Sequence, residues 1–228
     1  MQCRNVGQNA KKSNMTQKIQ RFWNRQAKKY DYSEKQFEPV FKDIIAKTSK
    51  YLNLSDNVLD FGCATGTKTL ELAGNTKHIH GLDISTEMIK EAIKKKEESN
   101  ILNISFSQGI IFITDLEKAS FDKIIAYGII HLLEDKENVI RRIHELLKPG
   151  GLFISSTACL KDKMAFKNSL EFKAYLLLKK FGVFPLHLNM FKTNDVENLI
   201  ANQNFEIIEA EKIFHGISIS YIVARKLI

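Results

Sequence analysis

The chain has 228 residues, of which 44% are hydrophobic, and a formal net charge of +8. This length is enough for one domain with a full core. The sequence contains no charge-free apolar run near the roughly 20 residues of a membrane span, which argues against an integral membrane protein. The positive charge is spread along the whole chain and gives only weak support to nucleic-acid binding.

Cysteine and histidine usage also restricts the class of protein. The cysteines Cys3, Cys63 and Cys159 lie far apart and form no C-x-x-C pair. This spacing disfavours a zinc cluster and a disulfide scaffold, and it favours a reducing, cytoplasmic location. The histidines form no ligand set either, so no metal site is predicted.

The first elements in chain order are a polar stretch and two helices. Residues 1–17 are polar, lack the apolar run of a secretory signal, and predict a disordered tail. Apolar residues spaced three and four apart predict a helix from Ile19 to Tyr30 and a second helix ending near Leu54. We therefore expect residues 18–228 to form a single domain.

Strand and helix patterns alternate through the rest of the chain, with strands predicted at 58–62, 78–83, 104–108, 121–127 and 152–157. Helices are predicted at 67–73, 86–98, 136–147 and 194–201. Two closing strands, 205–214 and 217–225, are joined by two residues and must be antiparallel. The predicted fold class is α/β, a Rossmann-like, seven-stranded, mostly parallel sheet with the last strand antiparallel and helices on both faces.

Two strand ends carry residue types suited to a ligand, which in such sheets binds outside the carboxyl ends of the strands. Asp60 to Gly66 (DFGCATG) follows the first strand, and its glycines let the backbone approach a ligand. The spacing differs from the G-x-G-x-x-G of nicotinamide sites, and an ordinary tight turn explains it too. Asp83 ends the next strand 23 residues after Asp60, near the offset at which an acid meets ribose hydroxyls, although it could also cap a helix.

Four segments together resemble, in order and spacing, the successive motifs of class I S-adenosylmethionine-dependent methyltransferases. They are Val58 to Gly66 (VLDFGCATG), Gly81 to Ser85 (GLDIS), Phe121 to Ile125 (FDKII) and Leu147 to Gly151 (LKPGG). The resemblance covers roughly residues 22–226 and is nearest to the small-molecule branch that includes the ubiquinone and menaquinone methyltransferases. It implies an enzyme that binds S-adenosylmethionine and releases S-adenosylhomocysteine.

The resemblance also implies the residues of the cofactor site. Asp83 would hold the ribose, and Asp60 would orient the amino group of the cofactor directly or through water. The methionine portion would be wrapped by Gly62, Cys63, Ala64 and Gly66 and lined by Tyr127 and Gly128, and the adenine would be covered by Ile84 and Met88. Gly109 and Ile110 would lie beside the adenine, where relatives often have an acid in place of Ile110. Ala64 is a second departure, because it replaces a glycine of the motif.

Methyl transfer from a sulfonium depends mainly on positioning and on excluding water. If the acceptor needs a general base, His131 follows the fourth strand and is the candidate, with a surface or helix-capping role as the alternative. Tyr30 lies seven residues after Trp23 on the same helix face. It could close over the cofactor or only anchor the helix to the core.

The stretch 158–192 is rich in phenylalanine, leucine and lysine and is predicted to be a lid or substrate-covering insert. Its apolar residues would suit an apolar small-molecule acceptor, and its lysines would suit a peripheral membrane contact through 161–186. An insert that only packs against its own core explains the pattern equally well. The oligomeric state is not predicted.

Two other functions compete with a small-molecule methyltransferase. A nucleic-acid (RNA) methyltransferase is motivated by the charge. The segment Ala126 to Ile129 argues against base-amino methylation, because it lacks the acid or Asn followed by Pro-Pro and an aromatic residue that marks such enzymes. A non-catalytic cofactor-binding partner subunit could keep the same fold.

Overall fold

A computed structural model describes residues 2–165, 168, 172–173, 176–177 and 186–228, and residues 2–13 by their backbone alone. The strands are β1 (Asn57–Phe61), β2 (His78–Asp83), β3 (Ile104–Gln108), β4 (Phe121–Tyr127), β5 (Leu147–Ala158), β6 (Phe205–His215) and β7 (Ile217–Lys226). They form a seven-stranded sheet in the order β3-β2-β1-β4-β5-β7-β6. Strands β1 to β5 are parallel, and β7 is antiparallel to both β5 and β6. The predicted fold class is confirmed.

The described helices are α1 (Gln2–Glu34), α2 (Glu38–Ser49), α3 (Thr67–Leu72), α4 (Thr86–Ser99), α5 (Lys136–Leu146) and α6 (Thr193–Ala201). Helices α2 and α3 pack on one face of the sheet and α5 and α6 on the other, so each face has its own buried cluster. Alternate strand residues supply the two clusters, because neighbouring side chains of a strand point to opposite faces. None of the described helices has both the length and the hydropathy of a bilayer-spanning helix.

Two boundaries differ from the prediction. Helix α1 begins at Gln2, so it runs through most of the stretch predicted as a tail. Hydrophobic periodicity detects a buried helix face, and residues 2–17, which are mostly polar and include Gly7 and several Asn, have neither an apolar stripe nor a high helix propensity. Strand β5 begins at Leu147, which pairs with Phe121 before the turn at Gly150. Gly150 has a φ of +72°, and the register shift there lets the strand continue through residues that are typical of a turn.

Candidate functional site

A cleft of about 1020 Å³ opens at the carboxyl ends of β1, β2 and β4. Its floor comes from the residues that follow these strands, among them Gly62, Ala64, Asp83, Ile84 and Gly128. One wall is helix α1, and the far end is the face of α5. Ligand pockets usually measure roughly 300–1,000 Å³, so the cleft has room for two ligands side by side.

The glycine turn after β1 is held close to β2. The N–H groups of Gly62 and Cys63 both donate to the carbonyl of Leu82, at 2.8 and 3.2 Å. Gly62 has a φ of +79°, and a Cβ there would stand 2.6 Å from the Cδ1 of Ile129. At Gly66, with a φ of +73°, a Cβ would stand 2.7 Å from the Phe106 ring. Both glycines are therefore required by backbone conformation and by space.

Asp83 is the residue predicted to bind a ribose, and this role stays a prediction. It lines the cleft; its Oδ1 accepts from the N–H of Ser85 at 2.8 Å, and its Oδ2 accepts from the N–H of Ala64 at 3.1 Å. Burial raises the pKa of its carboxyl. Each oxygen keeps a further lone pair for a ligand hydroxyl. The alternative role as helix cap belongs to Ser85, whose hydroxyl accepts from the N–H of Met88 at the start of α4.

Asp60 lies behind the residues that line the cleft, and its predicted role toward an amino group stays a prediction. It is buried, it accepts a hydrogen bond from the Thr69 hydroxyl at 2.6 Å, and it is not among the described residues that line the cleft. Burial raises the pKa of its carboxyl to about 6, and the neighbouring charge of Asp83 adds to the effect. An amino group in the cleft would therefore meet Asp60 through an intervening water or across the turn.

Several acidic groups converge on one side of the cleft. Burial raises the pKa of the Tyr30 hydroxyl, and the charges of Glu34, Asp83, Asp31 and Asp60 raise it further. Because Asp31 and Glu34 are paired with Lys95 and Lys68, the negative charge that favours a cationic ligand comes from Asp83 and Asp60. This field fits a ligand that carries a sulfonium and an ammonium group.

The segment after β3 closes the cleft with apolar side chains. The N–H of Gly109 donates to the carbonyl of Asp83 at 2.9 Å, and residues 109–113 all line the cleft. Met88 is buried against the same side, and Ile84 lies on the floor. Because Ile110 has no carboxylate, a bound adenine would be held by packing and by backbone groups.

Arg142 of α5 fixes this segment, and sequence reasoning missed it. Its Nη2 donates to the carbonyl of Leu116 at 2.9 Å, and its Nε donates to the carbonyl of Ile111 at 3.4 Å. These bonds satisfy carbonyls that no strand or helix pairs. An arginine on an amphipathic helix gives no sequence signal for this role, because solvated arginines occupy the same positions.

Helix α1 is fastened over the cofactor side of the cleft by polar contacts that were also missed. Asp31 accepts from the Thr65 hydroxyl at 2.5 Å and pairs with Lys95 at 2.5 Å. Glu34 pairs with Lys68 at 2.9 Å.

Tyr30 lines the cleft, and its ring packs edge-on against Trp23 of the same helix with the centroids 6.2 Å apart. The two roles that the sequence left open, closing over the cofactor and anchoring the helix to the core, both stay predictions. Tyr127 also lines the cleft, but its hydroxyl donates to Thr48 in the core. Its ring and backbone therefore face the cleft, and its polar atom does not.

His131 lies on a 3-10 turn, Ile130–Leu132, beside the cleft. Ile129 and Leu132 line the cleft, whereas His131 is outside the described lining. Its Nδ1 is buried with no hydrogen-bond partner among the described residues, and burial lowers its pKa to about 4. The ring is neutral at pH 7, and the catalytic role of His131 stays a prediction.

Much of the predicted insert, 166–167, 169–171, 174–175 and 178–185, lies outside the described residues, as does most of the proposed membrane contact through 161–186. From its described part, Leu186 is buried and lines the cleft. The N–H of Asn189 donates to the carbonyl of His131 at 2.7 Å. The residues that end the insert therefore pack beside the part of the cleft that Ile129 and Leu132 line.

Ala64 adopts a left-handed conformation with a φ of +48°, which costs an L-residue about 1–2 kcal/mol relative to glycine. We expect Ala64→Gly to stabilise the fold by about 1 kcal/mol and to raise the melting temperature by about 2–4 °C. Ala119, with a φ of +51°, is a matched position outside the cleft, and Ala119→Gly should give a similar shift. A lower melting temperature for Ala64→Gly beside a higher one for Ala119→Gly would contradict this account.

Known proteins resemble this chain in sequence and in fold. The family model described as a methyltransferase domain matches residues 52–212. An uncharacterised methyltransferase of Geobacillus kaustophilus is 30% identical over 153 residues, which cover 64% of this chain and 69% of that protein. The demethylmenaquinone methyltransferase of Lactococcus lactis is 33% identical over 119 residues, which cover 50% of this chain and 47% of that enzyme.

Among solved structures, the phosphoethanolamine N-methyltransferase 2 of Haemonchus contortus, in complex with phosphomonomethylethanolamine and S-adenosylhomocysteine, superposes with a TM-score of 0.67. The sequences are 15% identical, and the match covers 82% of this chain and 53% of that one. This likeness shows the fold. The chain spans about half the length of the Lactococcus and Haemonchus enzymes.

Proposed function

Because this chain belongs to the S-adenosylmethionine-dependent methyltransferase family, we propose that it methylates a small, apolar acceptor by direct in-line transfer. The observation that carries the proposal is the apolar half of the cleft. Beyond Gly128, the aliphatic side chains Ile129, Leu132, Leu133 and Leu186 line the cleft, and the polar residues Glu134, Asp135, Asn138, Arg141, Arg142 and Glu145 line the part that α5 and its preceding turn contribute. The aliphatic part of this lining gains free energy by covering an apolar molecule and offers little to a charged one.

The part of the cleft at the carboxyl ends of β1 and β2 carries groups that suit S-adenosylmethionine. Asp83 offers carboxylate lone pairs to a diol, the glycine turn allows close approach of the backbone, and the acidic field favours a cation. When bound, S-adenosylmethionine supplies a methyl group on a sulfonium, whose leaving group is neutral. We assign the predicted cofactor residues to it on this basis.

The protein's part in the reaction is to position the acceptor and to exclude water. Tyr30 and Trp23 cover the cofactor side, and the aliphatic residues beyond Gly128 hold the acceptor in line with the methyl group. A neutral His131 next to the acceptor half could accept a proton from a hydroxyl acceptor. Its low pKa makes it a weak base, so most of the rate acceleration has to come from positioning the acceptor.

The Lactococcus relative supports an apolar acceptor, because the demethylmenaquinone in its name is an apolar quinone. The Haemonchus enzyme holds a charged phosphomonomethylethanolamine. The acceptor class therefore has to follow from this chain's own lining, which is aliphatic next to Gly128, at Ile129, Leu132 and Leu133.

The test is to measure S-adenosylhomocysteine formation with two acceptor panels, apolar phenols and quinols against polar amines and amino acids. We expect turnover with the apolar panel. In Leu133→Asn, the acceptor KM should rise while the affinity for S-adenosylhomocysteine, measured by calorimetry, stays the same. Turnover of the polar panel alone would contradict the apolar acceptor, and S-adenosylhomocysteine binding without turnover of either panel would indicate the non-catalytic cofactor-binding partner subunit.

A further inference from the structure

Helix α1 presents a basic face to solvent. Its exposed cations are Lys18, Arg21, Arg25, Lys28 and Lys29. At 3.6 residues per turn, these five positions fall within an arc of about 100° around the helix axis. The opposite side carries Ile19, Trp23 and Tyr30, which line the cleft. The same helix therefore covers the cleft on one side and carries a stripe of positive charge on the other.

The acids of α1 do not neutralise this stripe. The sequence has no acidic residue from 2 to 30, and the only two acids of the helix are Asp31 and Glu34. Both acids form ion pairs with other parts of the protein: Asp31 pairs with Lys95, and Glu34 pairs with Lys68. The outward charge of α1 is therefore available to an anionic partner.

An apolar rim lies beside the basic stripe, at the mouth of the cleft. Met15 is 41% exposed, Phe112 is 49% exposed and Ile113 is 80% exposed, and all three line the cleft. Large apolar side chains that protrude next to a basic face fit the interface of a bilayer, where headgroups meet acyl chains. A nucleic acid would pair with the cations but would leave Ile113 in water.

We infer that α1 and the segment 112–113 dock this enzyme on an anionic lipid bilayer, with the mouth of the cleft at the border of the bound surface, where Met15 of α1 lies between the basic stripe and the segment 112–113. The basic stripe binds the anionic headgroups, and Met15, Phe112 and Ile113 enter the interface. The inference rests on the proposed apolar acceptor, since such a molecule partitions into the bilayer and would reach the cleft without crossing water.

The test is co-sedimentation of the full chain with vesicles of phosphatidylcholine alone and with vesicles that also contain phosphatidylglycerol. We expect binding to the anionic vesicles that weakens with salt. The variant Arg25→Gln/Lys29→Gln should bind them about 25-fold more weakly, since each surface cation contributes about fivefold. The control Lys42→Gln/Lys94→Gln removes the same charge from exposed positions on α2 and α4 and should change binding by less than the α1 pair does.

The apolar rim is tested separately by Ile113→Asn, which should reduce the binding that persists at high salt. Equal losses in the α1 pair and in the control pair would overturn the inference, as would tighter binding to a single-stranded RNA oligonucleotide than to anionic vesicles. Calorimetry with S-adenosylhomocysteine on the same variants keeps the two proposals apart. Intact cofactor binding without vesicle binding overturns only the docking surface.

Discussion

Asp83→Asn should lower the affinity for S-adenosylhomocysteine by about 100-fold. A hydrogen bond to a charged group contributes roughly 1.5–3 kcal/mol, and Asp83 is placed to accept one from each ribose hydroxyl. The amide keeps one acceptor oxygen and the shape of the side chain, so one ribose bond weakens and the other is lost. Isothermal titration calorimetry at neutral pH measures the change.

The control has to separate ribose binding from collapse of the turn, because Asp83 also accepts from the N–H groups of Ala64 and Ser85. Melting temperatures of the free proteins report on the turn, and we expect Asp83→Asn to remain folded. Glu97→Gln removes a carboxylate from the exposed side of α4 and should leave the affinity unchanged. A wild-type affinity in Asp83→Asn would remove Asp83 from the site.

The parts of the molecule that the sequence predicted are those set by burial and by chain connectivity. Strands β2, β3 and β4 have the predicted bounds, because buried strands leave continuous apolar runs bounded by turn residues. Parallel strands then bring Gly62, Asp83 and Gly128 to the same edge of the sheet, and this placement does not depend on the conformations of the loops. For this reason a linear pattern could predict the floor of the cleft.

What the sequence could not predict depends on polar contacts between elements distant in the chain. Arg142 lies more than twenty residues after the segment that it holds, and Asp31 lies more than thirty before Thr65. Neither contact leaves a periodic signal, since a charged side chain on a helix looks the same whether it is solvated or bonded. The depth of Asp60 was missed for a related reason, because strand position shows that a residue is near the edge and not how far the turn covers it.

The acidic side of the cleft couples cofactor binding to protonation. The folded-state pKa of Asp60 is about 6, above the usual value for an aspartate, because the carboxyl is buried. In the free protein, ionisation of this buried carboxyl therefore lowers the free energy of unfolding. The loss develops as the pH rises from about 4 through about 6. A cationic amino group nearby favours the ionised carboxylate and lowers its pKa again. Binding and ionisation of Asp60 should therefore support each other.

We expect the affinity for S-adenosylhomocysteine to fall about tenfold between pH 7 and pH 5, because below pH 6 binding must first remove the proton of Asp60. Calorimetry in buffers of different ionisation enthalpy should show proton release on binding at pH 5 and little at pH 7. In Asp60→Asn, the amide oxygen can still accept from Thr69, and the dependence between pH 5 and pH 7 should disappear. If the variant keeps the tenfold change, another group of the acidic side, such as Asp83, carries the proton, and the water-bridged role of Asp60 is wrong.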